Sequence, residues 1–341
     1  MNNRRLKILV TAAGGDLGQA VIKCLALMTP KPHVLGCDCD ASGVAGAFVD
    51  ETFVAPRADD PGYGEWILRL SPDHGVSAVI PCSEAEIVRL ASEQAMKTPE
   101  SPALVCQPQT WLEVHGDKLR SFQTLEQSVP LADYADGSAP AEVEAFLSRA
   151  AFPCVIKPRR SCGSKSIVIA TDADQVRRAV IAIPDSVVQE YIDDSDGEHS
   201  VGVFVGPDFS RAISFRRSLG PAGNSWEADN LEQDPEVLEY ALAVAKGSRC
   251  SGACNVQVRK GTQGVRLLEV NPRFSSLVAA RAACGFRDLE WAVRLAVGET
   301  LPVPPDTFSK IRFRRFFGEM IDTGNGFAAI DKWQPKIRSL G

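Results

Sequence analysis

Residues Ala253–Phe274 read ACNVQVRKGTQGVRLLEVNPRF, two apolar stretches on either side of Gly261-Thr262-Gln263-Gly264. A glycine-flanked turn between β-forming runs is a hairpin signal. Alternation along a strand puts Glu269 and Asn271 on one face. A loop over residues 261–265 sets Gln257 directly opposite Glu269. Three oxygen-bearing side chains then converge on strands otherwise filled with Val and Leu, with Arg273 just beyond. Hard divalent cations take carboxylate and carbonyl oxygens, and Mg²⁺ binds through few protein ligands while bridging to phosphates. Glu269 alone would be a strand-end acid meeting water. The set of three predicts a metal site at Gln257, Glu269 and Asn271.

Upstream, CVIKPRR, SIVIAT, SVVQEYI, HSVGVFV and RAISFRRS are β-rich segments with tight polar connections. They predict antiparallel structure in a separate α+β region. In PCVIKPRRSCGSKSIVIA (Pro153–Ala170), Lys157 ends one strand, and a turn containing Ser161, Gly163, Ser164 and Ser166 leads into the next. A cation beside a small-residue loop can hold phosphates, because backbone N–H groups approach them closely. The GxxxxGK[ST] pattern of a Walker loop is absent, and alone this stretch reads equally as a basic hairpin. SVVQEYIDDSDGEHSV (Ser186–Val201) runs a strand through Glu190 and Ile192, then an acidic turn, then Glu198 and another strand.

Residues 1 to about 112 have a different texture. Short apolar strands (KILVTAA, HVLGCDCD, ETFVAP, VSAVIPCS, ALVCQ) alternate with helical stretches such as Tyr63–Leu70 and Glu84–Gln94. That is a doubly wound α/β domain. Its first strand and turn, ILVTAAGGDLGQAVIKCL (Ile8–Leu25), nearly fit the TGxxGxxG fingerprint of short-chain dehydrogenases and epimerases. Ala12 replaces the first glycine, and Asp38 and Asp40 stand about where a ribose-binding acid would. Those enzymes normally need YxxxK, and none of Tyr63, Tyr134, Tyr191 and Tyr240 has Lys at that spacing.

With 341 residues the chain has room for two or three domains. A net charge of −6 recommends neither nucleic acid nor an acidic membrane as partner. No apolar run approaches the ~18 residues of a membrane span, so a cytoplasmic protein is expected. The ten cysteines are scattered, without a CxxC pair, and read as reduced and mostly buried. The four histidines are too dispersed for a zinc site. KIRFRRFF near the C-terminus reads as a strand with one charged face.

The order of these motifs resembles the ATP-grasp family from about Gly116 to Leu301. The likeness is greatest to the large subunit of carbamoyl phosphate synthase, across GDKLRSF, CVIKPRRSCGSKS, VVQEYI, NVQVRKG…LLEVNPRFS and LAVGETL. It implies a Rossmann-like pre-ATP-grasp domain (1–114), a linker helix and lid subdomain (115–190), and a core subdomain with C-terminal strands (191–341). By the same likeness Lys118 and Lys157 contact ATP phosphates, Glu190 and Ile192 read the adenine edge, and Glu198 holds the ribose. Gln257, Glu269 and Asn271 match its metal positions for Mg²⁺ (Mn²⁺ the alternative), and Arg273 matches the arginine facing the transferred phosphate. The implied activity is ATP-dependent activation of a carboxylate as an acyl phosphate, followed by amine attack. Bicarbonate activation, a Rossmann oxidoreductase and a catalytically dead nucleotide module are the rivals. Small-molecule substrates are expected, with a homodimer as the default assembly.

Overall fold

A computed structural model describes residues 5–41, 44–93, 98–160, 166–193, 195–220, 223–316, 318, 320–322 and 327–329. The turn after Lys157 falls largely outside them, at residues 161–165. Three large sheets organise the described residues, beside a two-stranded antiparallel ribbon of Met320–Asp322 and Phe327–Ala329.

Strands β1 (Lys7–Val10), β2 (His33–Asp38), β3 (Glu51–Val54), β4 (Ala78–Ile80) and β5 (Ala103–Leu104) form an all-parallel sheet in the order β3-β2-β1-β4-β5. Ile8, Leu9 and Val10 are fully buried, as strands covered on both faces require. Helices α1 (Asp16–Leu25), α2 (Tyr63–His74) and α3 (Glu84–Ser92) make the crossovers. The sequence places a helix over Tyr63–Leu70. α2 runs on to His74 and stops where Gly75 adopts φ 65°, a left-handed cap natural to glycine. α3 starts at a capping box between Ser83 and Glu86.

The glycine turn is built for packing. A Cβ on Gly18 would lie 2.3 Å from the Ala12 carbonyl oxygen, so only glycine lets α1 approach β1 this closely. The Gly14 N–H donates to Asp38 Oδ2 at 3.0 Å. The acid expected to read a ribose therefore closes its own turn.

A helix the sequence reading did not separate, α4 (Gln109–His115), precedes α5 (Lys118–Leu125). A second sheet follows. Strands β6 (Tyr134–Asp136), β7 (Cys154–Pro158), β8 (Val168–Ala170) and β9 (Ser186–Glu190) are antiparallel throughout, in the order β6-β9-β7-β8. α6 (Pro140–Leu147) and α7 (Ala173–Ala182) pack on it through Phe146 and Val176.

The third sheet is also antiparallel. It joins β10 (Glu198–Val205), β11 (Ser210–Leu219), β12 (Ser225–Asp229), β13 (Gly252–Gly261), β14 (Gly264–Asn271) and β15 (Arg312–Arg314) in the order β14-β13-β10-β11-β12-β15. α8 (Pro235–Gly247) joins one hydrophobic cluster with Val201, Val203, Val256 and Val258. Near the other end lie α9 (Val278–Ala283) and α10 (Asp288–Ala296). One apolar cluster joins Ile8, Val21 and Leu25 to Phe204, Val278 and Trp291, so the parallel-sheet region shares a core with the third sheet.

The deciding hairpin departs from expectation in one respect. Gly261 pairs with Gly264, so the loop is the tight Thr262-Gln263 turn, not residues 261–265. A bulge at Leu268 then shifts the register, and Gln257 still pairs with Glu269 and Asn255 with Asn271. The expected pair forms because the bulge offsets the shorter turn.

Candidate active site

A cavity of about 250 Å³ lies between the second and third sheets. Lys118, Lys157, Glu190, Ile192, Glu198, Gln257 and Glu269 all line it. Seven of the positions singled out in the sequence thus share one enclosure. Ile167 and Ile169 contribute exposed apolar side chains to its wall, at 44% and 56% exposure. Apolar surface left open inside a cleft suits a planar, partly apolar ligand.

Lys157 sits at the back of the cavity, buried at the end of β7. Its Nζ donates to Gln189 Oε1 at 2.8 Å and to the Leu268 carbonyl at 2.9 Å. The second contact depends on the bulge, because Leu268 is the residue left out of the β13–β14 pairing. Gln189 also donates to the Leu267 carbonyl at 3.2 Å, tying the second sheet to the third. Burial lowers the Lys157 pKa to about 7; Glu269 and Glu198 offset this only in part.

Lys118 enters from the first turn of α5. Its Nζ stands 3.3 Å from Glu269 Oε2, and Asn271 Nδ2 donates to Glu269 Oε1 at 3.0 Å. Burial pushes the Glu269 carboxyl up, but Lys118, the Asn271 hydrogen bond, Lys157 and Arg273 together hold it below its usual value. Glu269 is therefore an anion at neutral pH. One carboxylate plus the two amide oxygens of Gln257 and Asn271 is a hard donor set. It fits Mg²⁺, which completes its shell with substrate phosphates and water.

At the hinge, the Glu190 and Tyr191 N–H groups already donate to the Asp133 and Pro153 carbonyls. Arg259 donates to the Ile192 carbonyl at 3.3 Å and lies over the Tyr191 ring. Glu198 is held by Arg217, whose Nη2 lies 2.6 Å from Oε1, and by Arg259 at 3.5 Å.

Asn271 and Arg273 lie just outside this enclosure. A second cavity of about 160 Å³ shares Lys118 and Glu269 with the first and adds Asn271, Arg160 and Glu84. Arg273 points its Nε to Glu84 Oε1, 3.4 Å away across the junction with the parallel sheet. The structure thus gathers seven of the expected site residues in one cavity and puts Arg273 beside it.

Sequence reasoning missed three residues. Gln189 orients Lys157, and a polar residue inside the apolar run SVVQEYI was the available signal. Glu84 holds Arg273; the sequence offers its loop, residues 82–84, as a source of substrate contacts but does not mark this partner. Asp117 is the third. It is fully buried, caps α5 by accepting from the Leu119 and Arg120 N–H groups, and receives Arg159 at 2.8 Å and Arg160 at 2.9 Å. The Lys118 N–H donates to the Arg159 carbonyl at 3.0 Å. One carboxylate so fixes the end of β7 against the helix carrying Lys118.

Among the described residues, no group of three or more His, Cys, Asp and Glu could hold a metal, and no helix is long and apolar enough to cross a membrane. The described cysteines are free thiols.

Residues 182–317 match the family model for an ATP-grasp in the biosynthetic pathway with Ter operon, and residues 8–101 match the PylC-like N-terminal domain. Phosphoribosylamine–glycine ligase of Streptomyces coelicolor is 23% identical over 79% of this chain and 67% of its own length. The fold is also that of biotin carboxylase from Campylobacter jejuni, solved as a β,γ-ATP complex. There the TM-score is 0.72 at 14% identity, over 89% of this chain and 73% of that one. L-amino acid ligase from Bacillus licheniformis gives a TM-score of 0.67 at 15% identity, over 87% of this chain and 75% of that one.

Proposed function

We propose that this chain, a member of the ATP-grasp family, is an ADP-forming ligase that joins a small-molecule carboxylate to an amine. The observation that carries the reading is the single cavity between two antiparallel sheets. It collects two lysines, the strand end at Glu190 and Ile192, and Gln257 and Glu269 of the hard-oxygen set, with Asn271 and Arg273 just outside.

In this reading the adenine lies against Ile167 and Ile169, and its edge meets the hinge at Glu190 and Ile192. Glu198 faces the ribose, its position set by Arg217 and Arg259. Lys157 and Lys118 hold the phosphates. Mg²⁺ (or Mn²⁺), when bound by Gln257, Glu269 and Asn271, neutralises charge on the transferring phosphoryl group. Lys118 leaves the Glu269 carboxylate for the phosphates as the nucleotide arrives. Arg273 faces the γ-phosphoryl group as it passes to the substrate carboxylate, giving an acyl phosphate and ADP. The amine then attacks the carbonyl carbon, and the bond from that carbon to the phosphate oxygen breaks. Phosphate departs with the electron pair, one former carboxylate oxygen and the proton the amine gives up. Enclosure matters because water would otherwise hydrolyse that intermediate. No protein nucleophile is needed, which accords with described cysteines that are free and mostly buried; a cytoplasmic setting belongs to the same reading.

The reading is tested by ADP release over panels of carboxylates and amines with Mg·ATP. Release that requires one member of each panel supports it. Release driven by bicarbonate alone would replace it with bicarbonate activation.

A further inference from the structure

A third cavity, of about 200 Å³, opens beside Arg273. It lies at the carboxyl ends of β4 and β5, against the start of β13 and the last turn of α10. Its walls are apolar: Ile87, Leu104, Phe274, Ala292, Leu295 and Ala296. Leu104 and Leu295 are only half-buried and Ala296 is exposed, so apolar surface stands open there.

The polar groups of this cavity are already engaged. The Gln107 amide nitrogen donates to the Ser251 and Ala253 carbonyls at 2.8 and 3.0 Å, and its oxygen accepts from the Ser251 N–H at 3.3 Å. Burial pushes the Cys106 thiol up to about 12, so it stays neutral. Arg273 is the one charged residue among those lining the cavity.

The three cavities are neighbours in a row. The nucleotide cavity shares Lys118 and Glu269 with the second, and the second shares Ile87 and Pro272 with the third. A carboxylate placed at Arg273 for phosphorylation therefore has an apolar recess beside it. A volume of about 200 Å³ falls below the roughly 300–1,000 Å³ of a whole-ligand site. It fits part of a molecule.

Building on the ligase reading above, we propose that this recess receives the side chain of the carboxylate substrate, making the enzyme selective for acids with an apolar, uncharged side chain. A cationic side chain would find no acid among the residues lining the recess and would meet the Arg273 guanidinium. An anionic one would compete with the reacting carboxylate for the same guanidinium.

Hydroxylamine trapping with Mg·ATP tests this over two series: glycine, alanine, leucine, phenylalanine, aspartate and lysine; and acetate, propionate, 4-methylpentanoate and 3-phenylpropionate. Hydroxamate should form best with apolar side chains. Ala296→Phe narrows the mouth and should lower the kcat/KM ratio of large over small side chains by about tenfold or more, the scale of one or two methylenes in a pocket. Leu295→Ala widens it and should move the ratio the other way. Both variants are checked for folding by circular dichroism and for an unchanged melting shift with Mg·ATP. Unchanged ratios in both, or preference for aspartate or lysine, would overturn the recess assignment and leave the ligase standing. A change in preference among acceptor amines alone would also overturn it. Absence of ADP and hydroxamate with every acid would overturn the ligase reading and the recess with it.

Discussion

Lys118 Nζ and Glu269 Oε2 stand 3.3 Å apart, so the cation of α5 rests on the one carboxylate of the metal set proposed for the hairpin. The pair holds Glu269 ionised and poised for a divalent cation that would displace the ammonium toward phosphate. Glu269→Gln keeps the shape and removes the charge. The fold should survive while ATP-dependent turnover falls on the order of 10²–10³-fold, as for loss of one strong electrostatic contact in other enzymes. Asn271→Ala should cost less. Steady-state rates across Mg²⁺ concentrations check this, and full activity in Glu269→Gln would refute the metal assignment.

Lys157 gives a pH signature. Burial places its pKa at about 7 in the folded protein, against an ordinary 10.5. Between these values the unfolded chain binds the proton and the folded one does not, so stability must rise with pH there. The destabilisation is complete below pH 7 and is relieved as pH climbs toward 10.5. Relative to Lys157→Met, the nucleotide-free wild type should gain at most about 1.4 kcal/mol per pH unit from pH 7 to 9. Urea unfolding across that range measures it, and parallel profiles for the two proteins would count against a neutral Lys157.

Asp117 predicts a graded effect. Asp117→Ala removes the α5 cap and leaves Arg159 only its longer contacts to Asp136 and Asp185, at 3.8 and 3.5 Å, and should cost about 1–3 kcal/mol. Asp117→Asn keeps a capping oxygen and should cost less. Both should weaken Mg·ATP binding, because Lys118 and the end of β7 lose their common anchor. Chemical denaturation paired with nucleotide titration separates the two effects; equal losses from Ala and Asn would deny the capping contribution.

Nucleotide choice follows from the Gly14 turn. Because Asp38 already accepts from the Gly14 N–H, the acid that would face a ribose in a dinucleotide fold is engaged with the turn itself. Mg·ATP at a hundred times its dissociation constant should stabilise by about 2.7 kcal/mol, and NAD(H) and NADP(H) not at all. A thermal-melt series decides it.

The sequence carried the strand alternation and the parallel sheet, because strand period and turn chemistry are local properties; the positions that line the cavity came from the order of motifs that resembles the ATP-grasp family. It placed Gln257 opposite Glu269 through a longer loop than the chain uses. The actual device is a bulge at Leu268, which no residue pattern announces and whose carbonyl binds Lys157. An aspartate just before a helix is a capping signal, so half of Asp117's task was readable. The other half reaches Arg159 through hydrogen bonds 42 residues away in sequence. Glu84 meets Arg273 across 189 residues. Contacts of that span arise only once the sheets have packed.

The central claim is that the carboxylate becomes an acyl phosphate, and oxygen tracing tests it most directly. A carboxylate substrate labelled with oxygen-18 is turned over with unlabelled Mg·ATP and amine, and the released phosphate is analysed by mass. Transfer through an acyl phosphate moves one carboxylate oxygen to phosphorus, so each phosphate released should carry one label. Product formed with unlabelled phosphate would contradict the account.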